Sequence, residues 1–248
     1  MKPPFPLITA HTGCMGTPDH SLESFRAAAE YGADIVEDDI RATKDGALVL
    51  SHDDVLPLPD GGRIRVSALT LRELSAFPNI RIVELQQLLK LVKEAGLQMN
   101  LDVKADDVLE PLAELIAGLD MADQVFLSGC EYPRAALAES RAPALRKLLN
   151  VQVGSFVSKP YEEAVREACE EARRAGCFGL NVPYPLVNAT LVEVAGNAGL
   201  PLYVWDVDEP ERMSRCAEWG VRSITTRRLA VLQALKAGWT RSSAADGP

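Results

Sequence analysis

Two short stretches carry most of the side chains able to do chemistry. Residues 33–53 read ADIVEDDIRATKDGALVLSHD, placing Glu37, Asp38 and Asp39 at the end of one apolar run and His52 at the end of the next. Side chains alternate between the two faces of a strand, so Glu37 and Asp39 share a face while Asp38 points the other way. Asp102 and Lys104 end a further apolar run, Gln98–Val103, and His11 ends the first one, Phe5–Ala10. Glu37, Asp39 and Asp102 together concentrate more negative charge than a half-buried cavity holds without compensation. A hard divalent cation is the simplest compensation, and oxygen donors without a thiolate select Mg2+ or Ca2+ over zinc. The alternative is that acids at strand ends merely cap helices or face solvent. His11 and His52 can divide base and acid roles, one neutral and one protonated. Lys104 shares a face with Asp102, where it can steady a transferring phosphoryl group or pair with a carboxylate. Trp205 reads as a wall for an apolar part of a substrate, or as packing. His20 reads as an ordinary surface histidine close enough to touch substrate. Ser128 and Cys130 have no base nearby in sequence, which makes a nucleophilic serine or cysteine a weak idea.

These residues need a scaffold that gathers strand ends. The few residues between the runs at 35–39 and 47–50 cannot make a parallel crossover, which takes a dozen or more, so the two form an antiparallel hairpin. After a turn-rich patch (Pro57, Pro59, Gly61, Gly62), apolar runs at 98–103, 124–127, 149–153, 178–182, 202–205 and 223–225 alternate with helical periodicity, as in Tyr161–Ala175 and Ala189–Ala195. Before them, Leu22, Phe25, Ala28 and Ala29 recur at helical spacing behind the cap candidates Asp19 and Ser21, with Gly32 closing the helix. Setting aside the hairpin arm at 47–52, eight strands are each followed by a helix. The expected fold is an α/β, (β/α)8 TIM barrel with a β-hairpin excursion after strand two. An open doubly wound sheet competes, but no GxGxxG follows a strand and opens a helix. In a barrel the reacting groups come from the carboxyl ends of strands, and strands one to three carry most of the charge there. Strands four, five and six are expected to end in the uncharged Ser128, Gly154 and Asn181. One domain is expected over residues 1–240, with the last helix near Leu229–Ala237 and a small polar flexible tail at 241–248.

A net charge of -9 over 248 residues disfavours a nucleic-acid or anionic-membrane binder, since both partners repel an acidic surface. Five scattered cysteines, odd in number and without a CxxC, fit small buried residues in a reducing cytoplasm better than a disulfide framework. No apolar window reaches the length of a membrane span, and the N-terminal apolar segment is too short for a signal peptide. The expectation is a soluble cytoplasmic protein whose partner is a small molecule. Oligomeric state is not legible.

In order, the chain carries His11-Thr12-Gly13, Pro18-Asp19-His20-Ser21, Glu37-Asp38-Asp39, Thr43-Lys44-Asp45-Gly46, His52-Asp53, Asp102-Val103-Lys104 and Trp205-Asp206-Val207-Asp208. This series resembles the glycerophosphodiester phosphodiesterases, a branch of the phospholipase-C-like phosphodiesterase barrels. The resemblance implies metal-dependent hydrolysis of a glycerophosphodiester, or a related small phosphodiester, to an alcohol and a phosphomonoester. His11 and His52 would form the acid-base pair, Glu37, Asp39 and Asp102 would hold Mg2+ or Ca2+, and Lys104 would steady the phosphate. A glycerol 2-hydroxyl could attack first, giving a cyclic intermediate that water opens. Thr12, His20 and Trp205 complete the implied substrate contacts. The departures are specific: the family's arginine after the first histidine is Thr12, its Glu-Asn at the helix entry is Asp19-His20, and its late Thr-Asp is Thr226-Arg227. Loss of the arginine removes a bidentate phosphate clamp. That leaves a second reading, a catalytically weakened or inactive binding protein on the same barrel. A third, a barrel aldolase or isomerase, would use Lys104 to form a Schiff base.

Overall fold

The computed structural model describes residues 3–245. Its strands are, in chain order, β1 (Leu7–Ala10), β2 (Ile35–Ala42), β3 (Leu48–Leu50), β4 (Val55–Pro57), β5 (Arg63–Arg65) and β6 (Gln98–Val103). They continue as β7 (Val125–Ser128), β8 (Arg146–Lys147), β9 (Leu149–Asn150), β10 (Leu180–Pro183), β11 (Leu202–Trp205) and β12 (Ser223–Thr226). The helices are α1 (Leu22–Glu30), α2 (Leu71–Ser75), α3 (Leu85–Ala95), α4 (Leu109–Leu119) and α5 (Tyr132–Arg141), then α6 (Val153–Ser158), α7 (Tyr161–Arg174), α8 (Ala189–Asn197), α9 (Pro210–Trp219) and α10 (Leu229–Ala245).

The parallel strands follow the order β8-β7-β6-β2-β1-β12-β11-β10-β9. The two ends of that path, β8 and β9, are separated in the chain by Leu148 alone. Leu148 N donates to Leu127 O at 2.8 Å on one side, while Phe178 N donates to Lys147 O at 3.0 Å on the other. The sheet therefore closes, with β8 and β9 sharing the fifth of eight barrel positions. This is the (β/α)8 barrel expected from the alternation of runs. β3 lies off the path and pairs antiparallel with β2, Ile40 opposite Leu50 and Ala42 opposite Leu48. The turn-rich patch after it forms a second small hairpin, β4 with β5.

Two local expectations change. The fifth apolar run, 149–153, predicts a strand ending at Gly154, but pairing stops at Asn150 and α6 begins at Val153. An apolar run alone does not distinguish a buried strand from the start of a helix. At the carboxyl end of the sheet, Asn150 takes the place assigned to Gly154. At the C-terminus, α10 runs past Ala237 to Ala245, into the segment expected as a tail, and residues 246–248 lie outside the described residues.

Caps and apolar faces explain why the helices form where they do. Ser21 caps α1 by accepting from Ser24 N, Asn188 caps α8 by accepting from Leu191 N, and Gly96 ends α3 in the left-handed region at φ 67°. Helix α3 turns Leu85, Leu88, Leu89 and Val92 inward at i, i+3, i+4, i+7 spacing. Burying each such leucine contributes about 1.5–3 kcal/mol. Among the described residues, no helix is long and apolar enough to cross a membrane.

Inside the barrel the side chains fall into levels because every second strand residue points inward. Ile35, Phe126, Leu148 and Tyr203 form a separate buried cluster, joined by Leu7 and Phe178. Phe126, Phe178 and Tyr203 pack edge to face, with ring centroids 5.5–5.7 Å apart. Two residues further along the same strands come Glu37, Ser128, Asn150 and Trp205. An apolar floor thus closes the amino-terminal end of the barrel, and polar groups line the space above it.

Candidate active site

A cavity of about 680 Å³ opens at the carboxyl ends of the barrel strands. Its walls include His11, Thr12, His20, Glu37, Asp39, His52, Asp102, Lys104 and Trp205, so every site residue expected from the sequence lines one space. The parallel register explains the meeting of β2 and β6, since Asp39 stands opposite Asp102 and Glu37 opposite Asn100. β1 lies on the other side of β2 and delivers His11 one residue beyond its end.

Ligand oxygens of Glu37, Asp39 and Asp102 lie within 4.8 Å of one another. Burial pushes the Glu37 carboxyl well above the usual carboxylate range, and Asp39, Asp102 and Asp38 add to the rise; the backbone N–H of Thr12, 3.3 Å from Oε2, opposes it. Asp102 is also raised, chiefly by burial, with Lys104 opposing. The cluster thus requires a compensating positive species. Lys104 Nζ supplies part of it, lying 2.9 Å from Asp39 and 3.0 Å from Asp102. Burial alone would lower the Lys104 pKa, but these two carboxylates outweigh it and hold the amine charged. A Schiff-base lysine needs the opposite shift, which removes the support for an aldolase. The three oxygen donors suit a hard divalent cation. All five cysteines are buried and free, and burial raises the Cys130 thiol to about 12, so it is no nucleophile.

His11 Nδ1 lies 2.8 Å from the carbonyl oxygen of Thr12. A carbonyl only accepts, so Nδ1 carries the proton and Nε2 is left with its lone pair in the neutral ring. That Nε2 faces Asp206 Oδ1 at 3.7 Å. His52, on the loop after β3, is largely exposed and donates from Nδ1 to Asp53 at 3.0 Å, while Arg41 Nε holds its carbonyl oxygen at 2.9 Å.

The β1–α1 loop is tied down by Thr12 and Asp38. Thr12 Oγ1 donates to Asp38 Oδ2 at 3.0 Å and accepts from His20 N at 2.7 Å. His20 Nδ1 meets Asp38 Oδ1 at 2.6 Å, and its Nε2 comes to 3.8 Å from Asp39. Its φ of 55° is left-handed, a conformation that costs a non-glycine residue and is held here by these bonds. Asp38 is not among the residues lining the cavity, as expected from strand alternation, yet its carboxylate comes within 4.8 Å of that of Asp39 in a cluster with His20, and it still organises the site.

A family model described as the glycerophosphoryl diester phosphodiesterase family matches residues 11–231. The chain belongs to that family. A glycerophosphodiester phosphodiesterase from Caldanaerobacter subterraneus subsp. tengcongensis is 28% identical over 236 residues, covering 89% of this chain and 93% of the relative. The crystal structure of a glycerophosphodiester phosphodiesterase from Thermotoga maritima superposes with a TM-score of 0.75 at 20% identity, covering 93% of this chain and 98% of that one. An Oleispira antarctica phosphodiesterase solved with its product sn-glycerol-3-phosphate gives a TM-score of 0.76 at 19% identity, covering 93% and 96%.

In this candidate site of a glycerophosphoryl diester phosphodiesterase family member, several side chains were not legible from the sequence. Asp206 directly follows the apolar run 202–205, but nothing in the spacing links it to His11. Asn100, Asn150 and Arg134 also line the cavity. Asn100 Oδ1, Ser128 Oγ and Trp205 Nε1 are buried without a hydrogen-bond partner among the described residues, so the inner wall offers unused polar atoms to whatever fills it. The only signal for Asn100 was its place two residues before Asp102 on one strand face.

Proposed function

We propose that the protein hydrolyses glycerophosphodiesters, or closely related small phosphodiesters, to an alcohol and a phosphomonoester, using a divalent cation and two histidines. The observation that carries this reading is one cavity lined by His11, His52, Lys104 and the clustered oxygens of Glu37, Asp39 and Asp102, in a chain of this family. The Oleispira relative's product complex supports glycerol phosphate as the retained half. A binding protein without turnover is not favoured, because both histidines and the acidic cluster are present and the named relatives are enzymes.

Glu37, Asp39 and Asp102 would hold the cation, Mg2+ or Ca2+ by donor type. Bound there, it would polarise the phosphoryl oxygens. His11 takes the proton of the attacking hydroxyl at Nε2, because Nδ1 is already committed as a donor to Thr12 O. Asp206 then faces the imidazolium so formed. His52 returns a proton to the leaving alcohol from Nε2, its ring oriented through Nδ1 by Asp53. The attacking hydroxyl is either water or the glycerol 2-hydroxyl, the latter giving a cyclic phosphate that water opens.

The test is alcohol release from a glycerophosphodiester by purified protein with added Mg2+ or Ca2+. Activity should vanish with chelator and in His11→Ala and His52→Ala, each costing about 10²–10⁴-fold. Undiminished turnover in chelator would remove the metal assignment, and undiminished turnover in either variant would remove that histidine's role.

A further inference from the structure

We infer that Arg227, directly after the last barrel strand, is the side chain that grips the phosphate in this protein, and that Asp19 holds it until substrate arrives. The inference rests on the phosphodiester hydrolysis proposed above.

The cavity wall carries seven carboxylates and three fixed cations, a field that opposes an anionic substrate unless a cation is free to meet it. Lys104 is shared between Asp39 and Asp102. Arg134 is fastened by three acceptors, Asp106 Oδ1 through Nε and the carbonyl oxygens of Val103 and Gly129 through Nη1. Arg227 is different, with a half-exposed guanidinium that pairs through Nη1 with Asp19 at 2.9 Å. A solvent-exposed pair of this kind is weak and easily exchanged. An incoming phosphate therefore competes on good terms with the Asp19 carboxylate, and the planar fork matches two of its oxygens.

The position suits the task. Arg227 N donates to Asp208 Oδ1 at 3.1 Å and Arg227 O accepts from Met15 N at 2.9 Å, so its backbone is pinned beside the β1–α1 loop. The guanidinium lies over Gly13, where a Cβ would overlap Asp19 Oδ1 and come within 2.9 Å of Nη1. That is the residue next to Thr12 and two from His11. Thr12 itself is buried with its donors spent, the hydroxyl proton on Asp38 and the backbone N–H on Glu37, so it has none to offer a phosphate. Arg227 thus brings a cation beside Gly13, one residue from Thr12, from the opposite end of the chain.

Arg227→Gln should raise KM for a glycerophosphodiester about tenfold, with a smaller change in kcat, and weaken competitive inhibition by inorganic phosphate to a similar degree; Arg227→Lys should recover part of both. Asp19→Asn should do the reverse, lowering KM and tightening phosphate inhibition, because it releases the arginine. A pair that only fastened two loops would make both variants shift in the same direction, or lower their melting temperatures alone, and either result overturns the inference. Wild-type turnover with KM unaltered in Arg227→Gln overturns it while leaving the hydrolysis reading intact. Wild-type protein inert toward every phosphodiester offered removes that reading, and this inference with it.

Discussion

Asp206 Oδ1 stands 3.7 Å from Nε2 of His11, the nitrogen left with a lone pair by the bond from Nδ1 to Thr12 O. A carboxylate there would stabilise the ring once Nε2 takes a proton. Burial raises the Asp206 carboxyl, and His11 opposes the rise. Asp206→Ala should lower kcat about tenfold, with cation affinity barely changed, as expected for one charge-assisted contact. A variant that keeps wild-type kcat would sink the assignment.

Gly129 adopts φ 71°, and a Cβ on it would overlap Asp102 Oδ1 and lie 2.7 Å from Val103 O. Gly129→Ala therefore both strains the backbone and pushes on one of the three clustered carboxylates. We expect it to lose most activity and, more tellingly, to need at least about tenfold more cation for half-maximal thermal stabilisation. Unaltered cation demand would show that Asp102 yields without consequence.

The hydroxyl of Thr12 is a buried crosslink between Asp38 and the backbone of His20. Thr12→Val keeps the shape but leaves His20 N and one Asp38 oxygen without that partner, a loss of about 1–3 kcal/mol in unfolding free energy. Denaturant titration reads it directly. A change below about 0.5 kcal/mol, within the range of ordinary surface substitutions, would mean the loop is held otherwise.

Glu37, Asp38 and Asp102 all bind protons more tightly in the folded protein than in the unfolded chain, chiefly through burial. The metal-free protein should accordingly lose stability as pH rises from the ordinary carboxylate range, about pH 4, through the raised folded values. A divalent cation held as proposed would take the place of protons on Glu37 and Asp102, so its stabilising effect would grow across that same window. At about 100 times its Kd it contributes about 2.7 kcal/mol. Calorimetry should show a larger cation-induced rise in Tm at about pH 8 than at about pH 5. Equal rises at both would contradict the linkage.

Much of the scaffold was legible because apolar runs and strand alternation follow directly from local chemistry. The run Gln98–Val103 coincides with β6, and the placement of Glu37 with Asp39 but opposite Asp38 follows from the period of two. The end of the fifth strand was not, since Val151 and Val153 read alike in sequence although one is buried and the other nearly half exposed. Closure is what separates them: pairing with β10 ends at Asn150, and the chain turns into α6. The loop partnerships were hidden for a similar reason. Spacing assigns Asp206 and Arg227 to strand ends, but their directions depend on the packing of β1 against β12 and the path of the β1–α1 loop. His20 shows the same gap, an unremarkable loop residue in sequence that tertiary hydrogen bonds hold in a left-handed turn between two carboxylates.

The aromatic floor of Phe126, Phe178 and Tyr203 closes the barrel beneath the cavity, while the opposite side opens to solvent at the carboxyl ends of the strands. The two ends of the space therefore differ in dielectric: a charge seated near the packed rings is screened less than the same charge at the rim. The barrel's closed end thus makes any electrostatic contact deep in the cavity stronger, and any unpaired charge there more costly, than its counterpart at the mouth.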